Sequence, residues 1–132
     1  MRWAWFIAFL FASPVGAETP DAEAGAFYFE RLCVACHGVD AKGDGLMQRA
    51  LTVPAPGLTR LSADNGGVFP MFRVIQQIDG RDPLLAHGGE MPLFGELFAF
   101  PDAAIASETG QPIVTAQPIV DIAAYLESIQ EE

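Results

Sequence analysis

The sequence predicts a small all-helical domain behind a short apolar leader. Three observations lead there. Apolar residues recur at the helical spacing i, i+3, i+4, i+7 in two separate stretches, 69–78 and 118–129. A third stretch, running from residue 19 into a pair of cysteines, opens with helix-start chemistry. No stretch alternates apolar and polar residues strongly enough to predict a strand.

The leader occupies residues 1–17. Arg2 supplies a positive start, 3–12 is apolar, Ser13-Pro14 breaks the run, and Val15-Gly16-Ala17 offers small residues for cleavage after Ala17. That is the layout of a secretory signal peptide. An apolar run of about ten residues is half the roughly 20 that a membrane-spanning helix needs, so cleavage is expected rather than anchoring. The remaining 18–132 is the length of one domain with a thin core.

The mature chain then reads in order. Thr19 caps, Pro20 suits a first turn, and Asp21 and Glu23 complement a helix dipole. The helix that follows places Gly25, Phe29 and Cys33 four apart, on one face. A glycine weakens a helix, and its use here is the close approach of another helix. Residues 38–45 (Gly-Val-Asp-Ala-Lys-Gly-Asp-Gly) form a loop, and 46–51 a short helix. Val53-Pro54-Ala55-Pro56 is extended. Asn65-Gly66-Gly67 is a turn, 69–78 an amphipathic helix, and Asp79-Gly80 its end. The stretch 98–117, with Pro101, Gly110 and Pro112, is expected to wrap the domain as an irregular loop. Pro118 opens the last helix, whose stripe of Ile119, Ile122, Ala123, Leu126 and Ile129, with Tyr125 beside it, is expected to cross the first helix at Gly25.

The chemistry centres on Cys33-Val34-Ala35-Cys36-His37. Two cysteines two residues apart, followed by histidine, form the attachment pattern for c-type haem. Residues three apart share a helix face, so both sulfurs reach one porphyrin edge as thioethers, and His37 offers an imidazole to the iron. Two other readings compete. A redox dithiol expects a strand-helix-strand context, which is lacking. A zinc site would need Cys33, Cys36, His37 and His87, and Cys36 and His37 are neighbours that project differently. A backbone carbonyl of Pro54 or Pro56 is expected to accept the proton on the far nitrogen of His37.

The second informative stretch is His87-Gly88-Gly89-Glu90-Met91-Pro92. Glycines let backbone pass close to a flat ligand, and Pro92 biases Met91 to an extended conformation. Its thioether is therefore the expected distal iron ligand, with His87 the rival. Met47 and Met71 lie in helical surroundings and suit packing better.

The net charge is −10, and loss of Arg2 with the leader leaves six basic against seventeen acidic residues, a balance of −11. That opposes nucleic acid or an anionic membrane as partner. It suits redox partner proteins with a basic docking face, and equally it suits plain solubility.

Taken together, these residues resemble the class I c-type cytochromes, in particular small bacterial monohaem members. The resemblance runs from Gly25 to Ile129 and rests on Gly25 with Phe29, Cys33/Cys36/His37-Gly38, Gly43-Asp44-Gly45, the Pro54 region, Met91-Pro92 and Tyr125-Leu126. It implies one covalent haem c anchored by Cys33 and Cys36, with His37 proximal and Met91 distal. It also implies a small all-α fold whose first and last helices cross beside the haem. One departure stands out: related chains often carry tryptophan where Phe94 stands. Phenylalanine has no indole N–H, so a propionate partner must come from elsewhere, with Arg60, Arg73 and Arg81 as candidates.

An iron with two protein ligands has no open position, and methionine opposite histidine raises the potential. The expected function is a periplasmic one-electron carrier of a respiratory chain, and not an enzyme on its own. The alternatives are a cytochrome subunit of a larger periplasmic dehydrogenase or oxidase complex, or a haem sensor or peroxidase if Met91 does not ligate.

Overall fold

The computed structural model describes residues 19–81 and 91–132. The leader and His87 lie outside the described residues. Three main helices frame the molecule: α1 (Ala22–Leu32), α3 (Met71–Asp79) and α5 (Gln117–Ser128). Among the described residues, two one-turn helices, α2 (Val34–His37) and α4 (Phe94–Leu97), and 3₁₀ turns at Leu46–Ala50 and Ala63–Asn65 complete the helical part.

α1 begins two residues later than the sequence suggests. Asp21, not Thr19, is the N-cap: its Oδ1 accepts from the N–H groups of Glu23 at 2.9 Å and Ala24 at 3.1 Å. A carboxylate both satisfies two orphan donors and opposes the positive end of the dipole, so it prevails over the threonine hydroxyl. The Asp21 N–H donates in turn to Asp121 of α5 at 3.0 Å.

α1 crosses α5 at Gly25. A Cβ placed there would fall inside the carbonyl oxygen of Asp121 and lie 2.9 Å from the Cβ of Tyr125. Phe29, one turn on, stacks at a tilt on Tyr125, with ring centroids 5.2 Å apart. Ile119, Ile122, Ala123 and Leu126 of α5 are buried against this seam and against α3, which contributes Met71, Val74, Ile75 and Ile78. Gly80, at φ 66°, ends α3 in the left-handed conformation.

The stretch 98–117 corrects the all-helical expectation. Ala103–Ala106 (β1) and Pro112–Thr115 (β2) pair antiparallel, Ala103 opposite Thr115 and Ala106 opposite Pro112. Ser107 closes the turn: its Oγ accepts from Gln111 N–H at 3.0 Å, and its carbonyl from Gly110 N–H at 2.9 Å. Ala103, Ile113 and Thr115 face inward, while Ala104 and Val114 face outward. The hairpin braces both longer helices that follow the haem-type motif. Glu108 accepts from Phe72 N–H in the first turn of α3 at 3.0 Å, and Asp102 accepts from Gln117 N–H at the start of α5 at 2.9 Å.

Candidate functional site

Cys33 joins α1 to α2, and its carbonyl accepts from His37 N–H at 2.9 Å, so the two cysteines and the histidine stand on one continuing helical turn. Cys33 is 8 % exposed and His37 7 %. Burial, with Cys36 beside it, pushes the Cys33 thiol up to about 12.

After His37 the chain folds back over the motif. Gly38, Ala41 and Gly43 all take positive φ, at 82°, 56° and 79°. Ala41 is fully buried in that conformation, and its carbonyl accepts from Leu58 N–H at 2.6 Å. Gly43 lies against the chain at 55–57, where a Cβ would be 2.7 Å from the Ala55 carbonyl. This brings the extended proline segment beside the imidazole. The Nδ1 of His37 is 2.9 Å from the carbonyl oxygen of Pro56. A carbonyl only accepts, so Nδ1 carries the proton and Nε2 keeps its lone pair for a ligand. Of the two expected acceptors, Pro54 and Pro56, the structure selects Pro56.

Sequence reasoning missed the residue that holds this segment. The amide of Gln48 donates from Nε2 to the carbonyls of Gly43 and Ala55, the latter at 2.7 Å, and its Oε1 accepts from Ala55 N–H at 3.0 Å. The 3₁₀ turn at Leu46–Ala50 serves to present it. A glutamine whose partners lie five and seven residues away leaves no periodic signal. Gln130 does similar work from the other end: it donates to the Leu58 carbonyl at 2.8 Å and accepts from Ser62 N–H at 2.9 Å.

Cys33, Cys36, His37 and Met91 all line one cavity of about 410 Å³, within the range of sites for organic ligands. Phe29, Leu58, Ile78, Phe94 and Leu126 contribute to its apolar wall. Met91 lies close to the Nε2 of Gln77, which is 4.0 Å from its sulfur. Met47 is half exposed and Met71 packs in the core, and neither lines the cavity. Phe94 is buried in the wall, where its ring contributes packing without a polar handle. Of the three candidate arginines, Arg73 lines the cavity, whereas Arg81 is engaged by Asp79 at 2.5 Å.

These residues suit covalent haem. Two sulfurs lie on one wall, an imidazole keeps Nε2 available, a thioether lies along the same cavity, and the lining is apolar. A zinc site fits less well: among the described residues, no group of three or more His, Cys, Asp or Glu side chains is arranged to hold a metal ion.

Comparison with known proteins agrees. The family model for cytochrome c matches residues 22–130. No curated protein and no solved structure matches the chain. The match spans every element described above, from the first residue of α1 to beyond the end of α5, and the chain belongs to the cytochrome c family, the class I c-type cytochromes that carry haem covalently.

Proposed function

We propose that the chain is a periplasmic one-electron carrier. It holds one haem c through thioethers at Cys33 and Cys36, with His37 and Met91 as axial ligands. The observation that carries this reading is the convergence of those four side chains on a single apolar cavity, with His37 held in one tautomer by Pro56. When bound, haem c supplies a reversible ferric–ferrous couple. The chain's own part is to tether, orient and dehydrate. Cys33 and Cys36 fix the ring edge, and Pro56 fixes the plane and basicity of His37. Phe29, Ile78 and Leu126 keep water from the centre. A thioether opposite the imidazole favours the reduced state.

Location and partners follow from the sequence. The 1–17 leader directs export and leaves 18–132 as the mature domain. No helix of the described residues is long and apolar enough to cross a membrane. The acidic balance suits a partner with a basic docking face, whose association salt would weaken.

The test is an absorption spectrum of the exported protein, oxidised and reduced, for wild type and Met91→Ala, made in cells able to attach haem. Sharp reduced c-type bands, with a weak far-red sulfur-to-iron band lost in the variant, are expected. Attached haem without that band in either protein would replace Met91 by His87 or by an open position, and with it the carrier by a sensor or peroxidase. Absence of covalent haem would overturn the proposal entirely.

A further inference from the structure

Asp79 stands in the last turn of α3, where a negative charge opposes the helix dipole, and it is 8 % exposed. Neither its place in the helix nor its burial favours a carboxylate, so tertiary partners must compensate. Arg81 donates from Nε at 2.5 Å and from Nη2 at 2.6 Å, one nitrogen to each carboxylate oxygen. Thr115 of β2, 1 % exposed, donates from Oγ1 to Oδ2 at 2.5 Å. The carboxylate therefore joins the end of α3 to the hairpin.

The chain just beyond Met91 rests on the same cluster. A Cβ at Gly95 would collide with the Asp79 carboxylate and lie 2.5 Å from Arg81 Nε. A Cβ at Gly80 would lie 2.5 Å from Cδ2 of Leu93. Leu93 and Gly95, two and four places beyond Met91, therefore pack on Gly80 and on Asp79 with Arg81.

We infer that Asp79, held by Arg81 and Thr115, is a positioning residue for Met91: it supports 93–97 and so sets where the thioether meets the cavity. The inference rests on the proposed His37/Met91 ligation. Asp79→Asn removes the two-oxygen pairing with Arg81, and Thr115→Val removes the donor that reaches Oδ2 from the hairpin. The α1–α5 crossing, built from Gly25, Asp121 and Tyr125, uses none of these groups and is expected to stay closed.

The experiment uses the haem-loaded protein and four forms: wild type, Asp79→Asn, Thr115→Val and Thr115→Ser. Three quantities are read: the far-red band of the ferric protein, the rate of carbon monoxide binding to the ferrous protein, and amide hydrogen exchange by segment. Asp79→Asn and Thr115→Val are expected to weaken the band and to speed carbon monoxide binding by about tenfold or more, since the first loses the paired contact with Arg81 and the second the bond from the hairpin. Exchange should rise in 91–98 and stay unchanged in 22–32 and 117–128. Thr115→Ser keeps the hydroxyl and should behave as wild type. A band, rate and local exchange that stay unchanged in Asp79→Asn would overturn the positioning role while leaving ligation intact. Loss of the band only together with exchange throughout α1 and α5 would make Asp79 a general stabiliser and also overturn the role. A wild type lacking the band removes the ligation reading, and the positioning role with it, whatever the exchange shows.

Discussion

The Pro56 carbonyl lies 2.9 Å from Nδ1 of His37, across nineteen residues of chain. Its position depends on Gln48, whose amide makes hydrogen bonds to Gly43 and to both backbone groups of Ala55. Gln48→Leu keeps the bulk and removes all of them. With His37 as the proposed ligand, the proline segment loosens, the His37 hydrogen bond weakens, and the imidazole becomes a poorer donor to ferric iron. The reduction potential should rise. A tenfold change in relative ferric and ferrous affinity is about 59 mV for a one-electron couple, and the expected shift is a fraction of that. Losing partners for partly buried backbone groups should also cost about 1–3 kcal/mol of stability. Potentiometry and chemical denaturation check the two effects; a potential equal to wild type would separate Gln48 from His37.

Gly25→Ala should be among the most damaging single-methyl changes in the chain. The added carbon meets the Asp121 backbone carbonyl, which cannot rotate aside, so α1 and α5 must separate. Intrinsic helix propensity favours alanine over glycine by about 1 kcal/mol, yet overpacking at a fixed backbone costs about 1–3 kcal/mol and occasionally more. Steric exclusion is expected to win. The thermal midpoint of the holoprotein should fall by roughly 5–10 °C at the scale of about 4–8 °C per kcal/mol for a domain near this size. A rise in the midpoint would mean that propensity dominates and that the crossing is loose.

What the sequence made legible was local or costly. The Cys33–Cys36–His37 spacing is a short-range pattern, and its helical turn follows from it. Gly25 was readable because a glycine inside a helix demands a reason. Pro118 and the stripe of α5 gave both the start and the buried face of the last helix. The hairpin was not legible because β1 is Ala-Ala-Ile-Ala, with one β-branched residue and two outward-facing alanines, so neither propensity nor alternation marks it. Its register comes from the Ser107–Gln111 turn and from docking on α3 and α5. Gln48, and Asp79 with Thr115, were invisible for another reason: a polar side chain declares its partner only when the fold brings the two together. The pair Asp79-Gly80 marks a helix end through its glycine, but the sequence carries no sign of why an acid stands there.

Asp79 also gives the acid limb of stability a definite sign. The Arg81 hydrogen bonds, then that of Thr115, hold its carboxyl below the ordinary carboxylate value against the opposing effect of burial. The folded state therefore binds the proton less readily than the unfolded chain. The stabilisation is complete above the unfolded value of about 3.9. It is lost as pH falls through the lower folded value, because there the unfolded chain takes up a proton that the folded one resists. Other carboxylates contribute their own slopes, so the useful quantity is the difference between wild type and Asp79→Asn. That difference in thermal midpoint should be nearly constant from pH 7 to 5 and shrink below pH 4, as wild type loses what the variant never had. If it is unchanged down to pH 2, Asp79 and Arg81 are not a charge pair in solution. The Thr115 bond alone would then hold the end of α3 to the hairpin.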